Sequence, residues 1–324
     1  MGDSEQCQSQ QVLIGYGEHQ DTSVKSAVQA EPVFRRPALA GRRERRARSY
    51  LSRMRWLSAV AGALIAVMTY FPIIFVVSNS LRTGSNIFTS GVFSLFTQFD
   101  YENYVHAWSG ISPQLLNTVI VAALAIVIGV TAAMLGAYAF SQLRFRGKSL
   151  LFMCYVGLLF IPWTLTLIPL FLTIQKLHLF NTWWALILPY AASSQPLLVL
   201  IFRGFFDQIP RELLESARID GCGEWRVLMR VVAPLTKPIL LTGAILVTIN
   251  VWGDYLWPTI VIQDPQRTTI SAGVEQFLGS LGLNLSGGGS VFAAFVIATM
   301  PMFLLVGFTM RYFVSGLTEG ALKL

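Results

Sequence analysis

Arg211, Glu215 and Arg218 fall at helical spacing within residues 203–237, a polar stretch set between two strongly apolar segments. Side chains so arranged share one helix face, and the chemistry open to them is ionic contact with water or a partner surface. Around them, Glu215-Ser216-Ala217, then Gly221, Val231 and Ala233-Pro234 read as a short helix, a glycine turn and a second helix. Asp207 and Pro210 mark the first start, because Asp caps free N–H groups and Pro suits an opening turn. Leu213, Leu214 and Ala217 supply an apolar face, and Gly221 and Gly223 end the helix. Trp225, Leu228, Val231 and Val232 form the apolar side of the next helix, which Pro234 ends. A water-exposed hairpin of this kind between apolar segments reads as a docking element. Its expected contact residues are Glu212, Leu214, Glu215, Ser216, Ala217, Arg218, Asp220, Gly221, Trp225 and Pro234. No residue is assigned a catalytic or metal-binding role.

The segments that must hold the hairpin are apolar. The chain has 324 residues, 54% hydrophobic and 13% charged, against about 25% charged in an ordinary soluble domain. Segments 56–78, 116–140, 149–173, 184–202, 238–261 and 291–312 each approach the roughly 20 apolar residues that a bilayer-crossing helix needs. Before their end residues they contain no charged residue or His except Asp254. A charge at a span centre costs about 2.5–3.5 kcal/mol on insertion scales, so lipid demands such avoidance. The expected fold class is an all-α membrane protein with six transmembrane helices.

Lys and Arg set the orientation. With both termini cytoplasmic, residues 1–55 carry ten, 141–148 three, 203–237 six and the C-terminal end two. The outer segments 79–115, 174–183 and 263–290 carry one each, Arg82, Lys176 and Arg267. Trp56, Trp183, Trp184, Trp257 and Tyr312 fall where interfacial rings are expected. The net charge of +7 is therefore a topology signal. The nine arginines from Arg35 to Arg55 suit anionic lipid rather than nucleic acid, since no nucleic-acid-binding motif accompanies them. Cys7, Cys154 and Cys222 give neither a disulfide framework nor metal spacing. Residues 1–55 read as a basic cytoplasmic tail, disordered over 1–50, and 56–78 as an uncleaved first helix.

Other stretches bear on solute passage. Residues 79–115, with several aromatics, are expected to form small helices over an outer mouth. Ala125, Gly129, Ala133 and Ala137 form a row of small residues that admits a close helix neighbour. Pro162, Pro169, Pro189 and Pro196 kink the third and fourth spans. Trp163, Thr164, Thr166, Gln195, Asn250 and Asp254 are the candidates for lining a path for a hydroxyl-rich solute, with a purely structural role as the plain alternative for the first four. Gly279, Gly282 and Gly287 to Gly289 are expected to let the loop 263–290 reach a docked protein.

The spacing over 215–234 resembles the EAA loop of bacterial ABC importer permeases, with Ser216, Val231 and Ala233 as small or aliphatic departures. Gly136-Ala-Tyr-Ala-Phe-Ser-Gln-Leu-Arg-Phe-Arg-Gly-Lys148, Asn181-Thr-Trp-Trp-Ala-Leu-Ile-Leu-Pro189, Trp252-Gly-Asp-Tyr-Leu-Trp-Pro258 and Tyr312-Phe-Val-Ser-Gly-Leu-Thr-Glu-Gly-Ala-Leu-Lys323 extend the likeness to the MalG-like, carbohydrate-importing branch of type I importers. The resemblance implies a permease fold over 56–324, a family core near 112–312 and a coupling helix in 203–237. It also implies a homologous second permease, two copies of a cytoplasmic ATPase that uses ATP and Mg, and an extracytoplasmic solute-binding protein, in a bacterial plasma membrane. The chain itself is expected to bind no cofactor. Gly147-Lys148-Ser149 lacks the leading glycine of a P-loop, position 142 being Gln. Asp254 alone is ionisable within a span, toward its outer end, whereas ion-coupled carriers keep relays near the midplane. The alternatives are a secondary transporter or channel independent of ATP, and a membrane scaffold or sensor.

Overall fold

The computed structural model describes residues 39–83, 99–281 and 288–321 and divides into two compact units, Met1–Ala66 and Val67–Leu324. All regular structure among the described residues is helical. Helix α1 is Leu39–Ser80, so residues 39–50 are helical rather than disordered, as their Ala, Leu and Arg content favours. The first 38 residues lie outside the described ones.

In the second unit, α2 is Glu102–Gln142, α3 Lys148–Gly157, α4 Trp163–Lys176, α5 Trp184–Ser193 and α6 Gln195–Phe206. Next come α7 Arg211–Ile219, α8 Glu224–Leu235, α9 Lys237–Gly253, α10 Leu256–Val261, α11 Ile270–Leu281 and α12 Gly288–Ala321.

Three described stretches are unbroken and apolar enough to cross a membrane: Trp56–Ser80, Glu102–Gln142 and Gly288–Thr309. The other predicted spans are broken. Lys148–Phe160 and α4 meet at a 100° bend, and α5 and α6 meet at 43°. Pro162 causes the first break: it withholds an N–H and holds an extended ψ of 131° ahead of α4. At the second, Pro196 opens α6 and Ser194 returns its hydroxyl to the Ala191 carbonyl, 3.0 Å. The predicted span 238–261 is likewise two pieces, because Asp254 leaves the helix with ψ 121° and α10 begins two residues later.

The small-residue row does what its spacing implies. Ala125, Gly129, Ala133 and Ala137 are all buried on one side of α2. A Cβ on Gly129 would stand 3.3 Å from the Ser194 hydroxyl. The same logic joins α6 to α9, where a Cβ on Gly243 would come within 2.4 Å of the buried Phe202 ring. The main core gathers Tyr190, Phe202, Phe206, Leu214, Val227, Leu228, Val251 and Trp257. Trp257 was expected at an interface but is fully buried, because its indole N–H finds the Ala185 carbonyl at 2.9 Å.

Helix α2 begins at Glu102, well before the predicted 116, so residues 102–115 are part of one long helix rather than small surface helices. Residues 84–98 lie outside the described ones. Near this first end, Asn103 donates to the Ser80 and Arg82 carbonyls, 3.1 and 3.0 Å. Gln114 donates to Pro265 O at 2.9 Å, and Asn117 to Gln266 O and Thr268 O at 2.7 and 3.0 Å. Thr118 accepts the Ile270 N–H at 2.7 Å. At the other end, Gln142 donates to Phe206 O at 3.0 Å, and Lys148 ties off the Ser141 and Leu143 carbonyls at 2.9 and 3.0 Å.

The expected flexible glycine loop is narrower than 263–290. Gly279 lies within α11. Gly289 is buried in the first turn of α12, where a Cβ would stand 2.3 Å from Arg82 O, so glycine here serves close packing. Residues 282–287, including Gly282 and Gly287, lie outside the described ones.

Candidate functional site

The hairpin forms as its sequence requires. Helix α7 ends at Ile219, and Gly221 adopts a left-handed φ of +79°. The Gly221 N–H then meets Arg218 O and the Cys222 N–H meets Ala217 O, both at 3.0 Å, which satisfies the last carbonyls of the helix. Two assignments are corrected here. Asp207 does not cap α7: it closes α6, beside Arg203 at 3.4 Å and accepting from Ser141 at 2.6 Å. Pro210 stands at the capping position with an extended ψ of 131°, and no side chain caps that end.

Within the hairpin, Leu214, Val227, Leu228 and Val232 are buried and anchor it to the core. Leu213, Ile219 and Trp225 are 48%, 85% and 61% exposed. Large apolar side chains so exposed on a polar hairpin mark a surface made for contact. Glu212, Glu215, Ser216 and Asp220 are exposed as well, and Ala217 and Arg218 are half-buried. Trp225 therefore belongs to this outer surface and not to the apolar side expected for it. Pro234 lies inside the last turn of α8. The chain turns instead at Thr236, where α8 and α9 meet at 82°.

Arg218 grips Glu224, with Nε to Oε1 at 2.9 Å and a terminal nitrogen to Oε2 at 3.2 Å. The geometry follows from the turn, which folds the start of α8 back against the end of α7. Glu224 also accepts the Tyr138 hydroxyl of α2. Held by Arg218 first and Tyr138 second, the Glu224 carboxyl titrates below the ordinary carboxylate value despite partial burial. Arg218, hydrogen-bonded to Glu224, titrates above the usual guanidinium value. Glu215 lines a polar hollow of about 400 Å³ with Arg144, Lys148 and Arg211. Sequence reasoning passed over Glu224 and Tyr138. The six-residue step from Arg218 to Glu224 across a glycine turn was the available signal.

A second feature is a cavity of about 780 Å³ among α4, α5, α6 and α9. Its walls include Trp163, Thr166, Asn250 and Asp254 from the expected path, together with Tyr190 and Ser193, which sequence reasoning did not select. Apolar walls with a few polar groups are the usual make-up of a small-molecule site. Asp254 is held in place: one carboxylate oxygen accepts from Tyr190 at 3.0 Å and the other from the Trp257 N–H at 3.2 Å. Trp163 stacks edge-on to Trp257 with centroids 6.1 Å apart. Two predicted residues are elsewhere. Thr164 is exposed outside the cavity wall. Gln195 donates to Gly129 O and Ala191 O at 2.9 and 2.7 Å, so it joins α6 to α2 rather than lining a path.

Among known proteins, a family profile described as "Binding-protein-dependent transport system inner membrane component" matches residues 125–319, which take in both hairpin and cavity. The chain is similar to YurM, a probable ABC transporter permease protein of Bacillus subtilis (strain 168), with 37% identity over 80% of this chain and 85% of the relative. It is similar also to MalG of Thermococcus litoralis, a trehalose/maltose transport system permease protein, at 33% identity over 83% of this chain and 97% of the relative. In fold it resembles a chain in the crystal structure of a bacterial ABC transporter involved in the import of the acidic polysaccharide alginate. The TM-score is 0.72 at 23% identity, covering 80% of this chain and 96% of that one.

Proposed function

Given that the chain belongs to the family of inner membrane components of binding-protein-dependent transport systems, we propose that it is the permease subunit of an ATP-driven importer of a sugar or oligosaccharide. The observation that carries the reading is the hairpin, anchored to the core by Leu214 and Leu228 while Leu213, Ile219 and Trp225 stand free for a partner. That partner is a cytoplasmic ATPase, two copies of which bind the ATP and Mg and close around them. A second permease of like fold completes the membrane part, and an extracytoplasmic binding protein delivers the solute. Both termini and the hairpin face the cytoplasm, and the three unbroken helices with the bent pairs make up to six spans.

Solute passes by alternating access through the cavity on α4, α5, α6 and α9. Trp163 and Tyr190 offer ring surfaces to the apolar faces of a saccharide, while Thr166, Ser193, Asn250 and Asp254 meet its hydroxyls. The saccharide class is supported by what similar permeases are named for.

Co-purification of an ATPase with the tagged chain, followed by a screen of saccharides with the binding protein for stimulated ATP hydrolysis, tests the proposal. Uptake that proceeds in vesicles lacking ATP would overturn it.

A further inference from the structure

We infer that Glu224 is a positioning residue that fastens the hairpin to α2 through Tyr138, so that hairpin and α2 move as one lever. The inference rests on the reading of the hairpin as the ATPase contact. Glu224 opens α8 and its carboxylate has two tasks. Toward the hairpin it takes both bonds from Arg218, at 2.9 and 3.2 Å. Toward the membrane it takes the hydroxyl of Tyr138, 86 positions earlier, in the last turn of α2. Among the described residues, the hydrogen bonds that join α2 to residues 211–235 all meet at the Tyr138 hydroxyl, which also lies against the Arg218 guanidinium. The neighbouring bonds from Ser141 and Gln142 go to Asp207 and Phe206, at the end of α6.

The two tasks carry unequal weight. The side chains of Arg218 and Glu224 are 36% and 48% exposed, and exposed ion pairs contribute little. Tyr138 is only 4% exposed and has the Arg218 guanidinium, itself a donor, as its other neighbour, so its O–H, once deprived of the carboxylate, would be left without an acceptor at a real cost. Leu214, Val227 and Leu228 press the hairpin to the core without direction. The Tyr138–Glu224 bond sets the angle.

The test uses the assembled complex in proteoliposomes with its ATPase and binding protein. Tyr138→Phe removes one oxygen and spares the Arg218–Glu224 pair. The expected result is wild-type membrane abundance and ATPase recovery, with solute moved per ATP hydrolysed falling about tenfold, the loss of one hydrogen bond to a charged group. Glu224→Ala, at a half-exposed site, should uncouple alike, and the double variant should be no worse than the more severe single one. Unchanged solute per ATP in both single variants, with the ATPase still bound, overturns the lever while leaving the ATPase reading intact. A wild-type chain recovered without an ATPase overturns the reading, and the lever with it.

Discussion

Gly221 holds a φ of +79° at the turn between α7 and α8, a conformation that costs an ordinary L-residue about 1–2 kcal/mol and a β-branched one more. Gly221→Val should therefore leave the chain in the membrane but abolish solute-stimulated ATP hydrolysis, measured beside membrane abundance by immunoblot. Glu215→Lys should do the same without straining the turn, because it reverses a charge on the contact face. The Glu224 carboxyl gives a pH prediction. Its folded-state pKa is lowered by Arg218 and Tyr138, so its contribution is complete above the unfolded value and is lost as pH falls through the folded one. Solute moved per ATP should stay level from about pH 8 to pH 5 and decline only at lower pH; a fall between pH 7 and 6 would implicate another group. At this scale the sequence was read well where one backbone conformation demands one residue type, as at Gly221. It was read poorly where a charged group had several partners within reach. Asp207 served α6 rather than α7, and Arg218 found Glu224 across the turn, because tertiary approach decides such choices.

Close helix approach governs the elements. On α9, Gly243 leaves no room for a Cβ beside Phe202 and Leu198. Gly243→Ala should lower stability by about 1–3 kcal/mol through overpacking, seen as a lower unfolding midpoint in detergent, and Phe202→Leu should restore part of the loss. The row Ala125, Gly129, Ala133, Ala137 was legible in advance because its period is that of the helix itself. The prolines announced kinks but not their size: the 100° bend after Phe160 depends on what α4 packs against, and local sequence does not encode that. The start of α2 at Glu102 was hidden because its first turns are polar and are stabilised by Asn103, Gln114 and Asn117 reaching distant carbonyls.

For the molecule as a whole, the proposed cytoplasmic side of the hairpin follows from the distribution of Lys and Arg and is open to direct test. Ile219 is 85% exposed. In a chain whose native cysteines are replaced by Ser, Ile219→Cys should react with a membrane-impermeant maleimide in inverted vesicles and not in intact cells; labelling of intact cells would reverse the assigned orientation. The hydrophobic segments and the family likeness were legible from residues alone. The cavity was only half so: Trp163, Thr166, Asn250 and Asp254 were foreseen, whereas Tyr190 and Ser193 lie on a helix whose inward face becomes defined only once α5 and α6 part at their bend.

Helix α2 is 41 residues long, about 60 Å at 1.5 Å per residue. It is gripped near its start by the segment 265–270 and at its finish by the hairpin and the end of α6. A rod clamped at both extremities lets neither clamp tighten in private. Under the proposed function, whatever binding at one clamp does to the affinity at the other must be returned by the same factor, so arrival of cargo and arrival of nucleotide would be two readings of a single equilibrium.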